Sequence, residues 1–215
     1  MVVIKRILLF MIGVTLFSCQ PKIDLKSDKH LTEIFTDNEL KEIEKMISYV
    51  DDRVVEQIGN RDINGAYHQL LTEIDKTMQD CSRFFVPFDE EEKYEFLNSL
   101  DSTVFNEFWT FRRARKAVYQ DSIYDYAYQS LELSINGRYV SDYLERIAKD
   151  DEYYKSVRET LKMAWGFSPT IAAWFLKNHD EFDFTLPKNR LWAVIYLLRI
   201  EEPHNKKMER YLNQK

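Results

Sequence analysis

Four histidines, two cysteines, 36 carboxylates and a crowd of tyrosines are the residues through which this 215-residue chain could bind a metal, move a proton or hold a ligand. His30, His68, His179 and His204 are far apart in sequence. No two stand four apart, the spacing that puts two imidazoles on one helical face. His179-Asp180-Glu181 falls where a helix is expected to end, so these groups read as a solvated cap. The sequence therefore points to no metal site. It points to no cofactor either: with so few glycines, neither a phosphate loop nor a dinucleotide-binding turn can be built. A Gly-x-Ser-x-Gly elbow is absent from the sequence. The carboxylates will form chance pairs, and sequence does not fix the separation that acid–base catalysis needs. No catalytic residue is assigned on these grounds.

The aromatic residues say more. Tyr119, Tyr124, Tyr126, Tyr128, Tyr139, Tyr143, Tyr153 and Tyr154 crowd the middle of the chain. On short helices not all of their hydroxyls can be buried and satisfied, so some are expected to face solvent or a partner. Tyr124, Tyr126, Tyr128, Tyr139 and Tyr153 are the candidates to stack on a sugar ring or anchor a protein interface. The plainer alternative is packing between helices with the hydroxyls at the core rim. Arg112, Arg113, Arg115 and Lys116 form the one basic cluster. A helix is expected to end there, where cations complement its dipole. Anionic lipid headgroups or an acidic partner are the functional alternative. Asp89 to Glu92 reads as a helix start rather than a calcium site.

At the N-terminus, Lys5 and Arg6 precede an uncharged, mostly apolar stretch from Ile7 to Phe17. A bilayer-spanning helix needs about 20 apolar residues, so this shorter run reads as a secretory leader. It closes on Leu16-Phe17-Ser18-Cys19, which resembles the lipobox of bacterial lipoproteins. Leu16, Ser18 and Cys19 match that pattern, while Phe17 stands where a small residue is common. The resemblance covers only these first residues. It implies cleavage before Cys19, a diacylglyceryl thioether on its sulfur and usually a third chain on its amine. One chain binds marginally, at about 0.8 kcal/mol per buried methylene, so two or three make a lasting anchor. Gln20 is not aspartate, which by the same resemblance favours the outer membrane and leaves the membrane face open. With Cys19 acylated, Cys81 has no disulfide partner and reads as a small buried hydrophobe following Tyr67, Leu70, Ile74 and Met78.

The elements that must position these residues are expected to be helices. Five glycines and five prolines in 215 residues are under half the usual combined share of about 12%. Thr36 to Glu39 forms a capping box before Leu40, Ile43, Ile47, Val50, Val54 and Ile58, and Gly59 stops that helix. Further helices are expected near 65–82, from Asp89 to Leu100, onward from Asp101, over 122–135 and over 139–149. Others start at Asp151 (carrying Tyr154, Val157, Leu161 and Trp165), at Ser168-Pro169 and before Leu191. Tyr124 to Tyr128 is the one stretch where a strand stays plausible. The expected fold is all-α: a single globular domain of eight or nine short-to-medium helices in an irregular orthogonal bundle.

Residues 1–18 are then a removed signal peptide, 19–35 a lipidated N-terminus and tether, and 36–215 the helical domain. The formal charge is −6, and losing Lys5 and Arg6 with the leader makes it −8, which argues against nucleic acid as a partner. The expected protein is lipid-anchored in the bacterial cell envelope with a non-enzymatic binding or accessory role. Its partners would be the membrane, through the lipid, and an envelope protein or glycan; its oligomeric state stays open. The alternatives are an enzyme acting on envelope glycan or peptidoglycan, and an immunity- or inhibitor-type lipoprotein.

Overall fold

The computed structural model describes residues 22–80, 85–126 and 128–213, so the expected leader, Cys19 and Cys81 lie outside the described residues. Residues 22–35, expected as part of a tether, are folded onto the body instead. A 3₁₀ turn at Leu25–Ser27 leads into α1 (Lys29–Ile34). Asp28 caps that helix, its Oδ1 accepting from His30 N at 2.9 Å and Leu31 N at 3.2 Å. Its Oδ2 accepts from the Tyr143 hydroxyl at 2.6 Å, a contact between distant parts of the chain. Ile23, Leu25, Leu31 and Phe35 are buried. Four apolar residues at irregular spacing give no periodic signal, which is why the polar residues between them read as a linker.

Local signals place the next helices well. In the capping box, Glu39 N donates to Thr36 Oγ1 at 3.4 Å and Thr36 N donates to Glu39 Oε2 at 2.8 Å. The helix α2 (Asp37–Ile58) follows, burying Leu40, Ile43, Ile47, Val50 and Val54. It stops at Gly59, whose φ of +71° is the left-handed conformation that glycine adopts without a Cβ penalty. The helix α3 (Ile63–Gln79) buries Tyr67, Leu70, Leu71 and Ile74, whereas Met78, expected inward, is 52% exposed. Then come α4 (Glu90–Ser99) and α5 (Ser102–Phe108), capped by Asp89 and Asp101.

The chain departs here from the expected all-α fold. Four strands form two antiparallel two-stranded sheets, one following the other along a hairpin: β1 (Trp109–Ala114) pairs with β4 (Tyr128–Leu133), and β2 (Ala117–Tyr119) with β3 (Ser122–Tyr124). Its register runs from Trp109 opposite Leu133 to Ala114 opposite Tyr128, then from Ala117 opposite Tyr124 to Tyr119 opposite Ser122. The two-residue loop is Gln120-Asp121, with φ of +45° and +60°. Two successive positive φ angles match the primed turn whose twist suits a hairpin. Such turns usually carry Asn-Gly, so this one leaves no ordinary mark in the sequence. Val118 and Ile123 face each other at the tip and are 66% and 71% exposed, so no buried face betrays the strands there. The helix expected over 122–135 is thus mostly strand. The basic cluster lies on β1 and the turn after it, so it does not cap a helix.

Among the described residues the fold is therefore predominantly helical with two small two-stranded sheets in a β-hairpin. The remaining elements are a π-helical turn (Tyr139–Tyr143), α6 (Leu144–Ile147), α7 (Glu152–Ala164), α8 (Pro169–Lys177), a 3₁₀ turn (His179–Glu181), α9 (Pro187–Arg199) and α10 (His204–Asn213). Ten α-helices occur among the described residues, against the eight or nine expected. Gly137 lets the turn cross α5 closely, since a Cβ there would meet Glu107 O at 2.1 Å. Trp165, expected inward on α7, takes the left-handed C-cap position with φ +53° and is 79% exposed.

Helix α9 is the centre of the core, with every residue from Leu191 to Leu198 buried, as expected of a helix wrapped on all sides. Arg190 at its start is also buried. It donates through Nε to Asp51 Oδ1 at 2.9 Å, and its Nη2 pairs with Oδ2. The Tyr67 hydroxyl donates to the same carboxylate at 2.8 Å. Burial raises the Asp51 pKa, and Arg190 opposes that by favouring the ionised form.

Candidate functional site

A cleft of about 430 Å³ opens where the hairpin meets α4 and α10. Its floor is ionic, and the residues come from four places in the chain. On α4, Glu90 and Tyr94 are one helical turn apart and share a face with Lys93. Glu201 and Glu202 leave the end of α9, and Pro203 precedes α10, which carries Lys207 and Arg210 one turn apart. The Lys207 ammonium lies 2.8 Å from Glu90 Oε1 and 3.5 Å from Glu201 Oε2. Glu202 N donates to Glu90 Oε2 at 2.8 Å, and Arg210 Nη2 donates to Glu202 Oε2 at 2.7 Å. Glu201 Oε1 accepts from Leu131 N on β4 at 2.6 Å and from the Tyr94 hydroxyl. Below them Lys93, fully buried, donates to Ile200 O at 2.9 Å.

Burial dominates the electrostatics of two groups in this floor, Lys93 and Tyr94. It lowers the Lys93 pKa to about 8, against the fields of Glu201 and Glu90, which favour the charged amine. It raises the Tyr94 pKa, and the hydrogen bond to Glu201 acts in the same direction, so this phenol is neutral. The floor is a hydrogen-bonded array of both signs, and such arrays are costly to disturb.

One wall is aromatic. The Tyr126 ring stacks on Tyr211 with centroids 4.4 Å apart and lies 5.9 Å from Tyr128. Tyr128 in turn contacts the His204 ring at 5.3 Å. Tyr211 donates to Asp125 O at 3.1 Å, and His204 Nε2 to Val118 O at 3.0 Å, so α10 holds the hairpin against the body. Glu91 and Arg113 complete the rim. The volume lies in the range of small-ligand clefts, and the lining combines flat aromatic faces with donors and acceptors.

Of the five tyrosines expected to meet a partner, Tyr126 and Tyr128 line this cleft. Tyr124 sits on β3 opposite Ala117, half-buried and outside the lining. Tyr139 is fully buried and its hydroxyl has no hydrogen-bond partner, so it is a core residue and cannot meet a partner. Tyr153 is half-buried: its hydroxyl accepts from Trp192 Nε1 at 2.7 Å and its ring stacks on Trp174 at 4.6 Å. It lines a second, more apolar groove of about 390 Å³ between α7 and α8. Tyr94, Glu90, Lys207 and Tyr211 were not singled out from the sequence as site residues. Arg113 belongs to the basic cluster, which the sequence reads first as a helix cap and only alternatively as a contact for anionic lipid or an acidic partner.

Two histidines without a spacing signal meet in space. His68 on α3 and His179 after α8 place their Nδ1 atoms 3.1 Å apart. Asp180 Oδ1 lies 3.3 Å from His179 Nδ1 and 4.0 Å from His68 Nδ1. Of the residues expected as a solvated cap, His179 is 7% exposed, so it belongs to the interior.

Among the described residues, no helix is long and apolar enough to cross a membrane. Comparison of the chain with protein-family models, with curated proteins and with solved structures finds no match.

Proposed function

We propose that this chain is a lipid-anchored protein of the bacterial cell envelope with a non-enzymatic binding role, and that its ligand is an envelope saccharide held in the cleft between the hairpin, α4 and α10. The observation that carries the ligand is the stacked pair Tyr126–Tyr211 standing beside an ionic floor. Sugars present an apolar C–H face and a rim of hydroxyls. Phenol rings suit the first, and alternating carboxylates and ammonium or guanidinium groups suit the second. Arg113 at the rim adds a cation that suits a saccharide bearing a carboxylate. A concave cleft also fits a small ligand better than a flat protein surface does. The anchor rests on the lipobox-like Leu16-Phe17-Ser18-Cys19.

Two experiments test the reading. Cys19→Ser should move the protein from the membrane to the soluble fraction, and continued sedimentation with lipid would refute the anchor. Crosslinking in intact envelopes from a photoreactive residue at position 126 should yield adducts with glycan. Adducts with one protein alone would replace the saccharide by a protein partner.

A further inference from the structure

We propose that His68, His179 and Asp180 form a binding site for a divalent transition-metal ion of the zinc class, separate from the tyrosine-lined cleft. The three donor atoms lie 3.1, 3.3 and 4.0 Å from one another. Two ligands bound about 2.0–2.1 Å from zinc at a tetrahedral angle stand about 3.3 Å apart. Two of the three edges already have that length. The third, at 4.0 Å, joins the same Asp180 oxygen to His68, and the Asp180 side chain is 88% exposed.

A threonine fixes which nitrogen carries the lone pair. Thr72, one turn beyond His68 on α3, donates its only hydroxyl proton to His68 O at 2.8 Å. Its oxygen also lies 3.1 Å from His179 Nε2, and toward that atom it can only accept. His179 therefore carries its proton on Nε2, and its Nδ1 presents a lone pair to His68 and Asp180. This is the outer hydrogen bond that orients metal-binding imidazoles. Without a metal, His68 Nδ1–H donates to that lone pair. With a metal, the His68 proton moves to Nε2 of the same ring and both Nδ1 atoms face the ion.

The surroundings hold the imidazoles and leave a way in. Phe184 packs on the His68 ring at 4.9 Å and on Tyr67 at 5.2 Å. Its backbone N–H donates to Asn64 Oδ1 at 2.7 Å, tying the segment after the 3₁₀ turn to α3. The exposed Asp180 marks the solvent side, where water can supply the remaining coordination. Two imidazole nitrogens and one carboxylate suit zinc, cobalt or nickel and not calcium or magnesium, which take oxygen ligands.

The test uses the full-length protein in detergent, with Cys81→Ser so that its thiol does not compete. After chelator treatment it is titrated with Zn²⁺, and separately with Co²⁺, whose tetrahedral complexes absorb strongly in the visible. One ion per chain is expected, with the cobalt bands. Asp180→Asn, at an exposed position, should weaken binding at least tenfold, and Thr72→Val should weaken it about 10–100-fold by releasing the His179 tautomer. His68→Ala should abolish it. If His68→Ala does not fold, the other two variants decide. No stoichiometric uptake, or equal affinity in wild type, Asp180→Asn and Thr72→Val, would leave the histidines as a hydrogen-bonded packing pair and overturn the site.

Discussion

Lys93 makes the stability of this protein depend on pH in an unusual direction. Its amine is fully buried beneath the cleft, and burial lowers its pKa from 10.5 to about 8. Glu201, Glu90 and Glu202 act against that shift and Lys207 acts with it. Below pH 8 the amine is charged in both the folded and the unfolded chain, and the folded state bears the cost of keeping a charge from water. Between about pH 8 and 10.5 the unfolded chain still binds the proton and the folded chain does not, so stability rises with pH. The linkage relation gives a rise on the order of 1 kcal/mol from pH 7 to 9 and of about 2–3 kcal/mol by pH 10. Beyond pH 10 the trend reverses. Burial holds the phenols of Tyr67, Tyr139 and Tyr154 well above their ordinary range, so they ionise only on unfolding. Urea unfolding midpoints from pH 7 to 9.5 measure the slope, and a constant m-value confirms that one transition is followed. Lys93→Met should remove the rise. A flat wild-type profile between pH 7 and 9, or the same slope in Lys93→Met, would refute the reasoning.

Two further stability measurements probe the core. Asp51→Ala leaves the Arg190 guanidinium buried without its carboxylate and should cost about 3–5 kcal/mol by denaturant unfolding; a loss under 1 kcal/mol would mean that water reaches the pair. Tyr139→Phe deletes a buried hydroxyl that has no partner, so it should raise stability by about 1 kcal/mol, and a marked loss would contradict its orphaned state.

Short-range chemistry was the legible part of this fold. The Thr36–Glu39 box, Gly59 and Ser168-Pro169 each specify a helix end within a few residues, and the structure places helix ends at all three. The hairpin was illegible for a local reason, because Gln120 and Asp121 adopt positive φ where glycine or asparagine would have announced the turn. The fold of residues 22–35 was missed because Leu31 and Phe35 take their meaning from the surface they cover. Within the cleft, Tyr126 and Tyr128 could be suspected from an excess of phenols. The ionic floor could not, since Glu90, Glu201 and Lys207 come from different elements and each looks like a solvated charge. His68 and His179, 111 residues apart, carry no pairwise signal until the fold brings them together.

Whether the cleft holds a saccharide is tested most directly by equilibrium titration of the purified protein with soluble, carboxylate-bearing fragments of envelope glycan. Saturable binding at one site per chain is predicted, weakened at least tenfold by Tyr126→Ala and by Tyr211→Ala and little changed by Trp165→Ala on the exposed α7 cap. Absence of binding, or tyrosine variants that bind as the wild type does, would contradict the account.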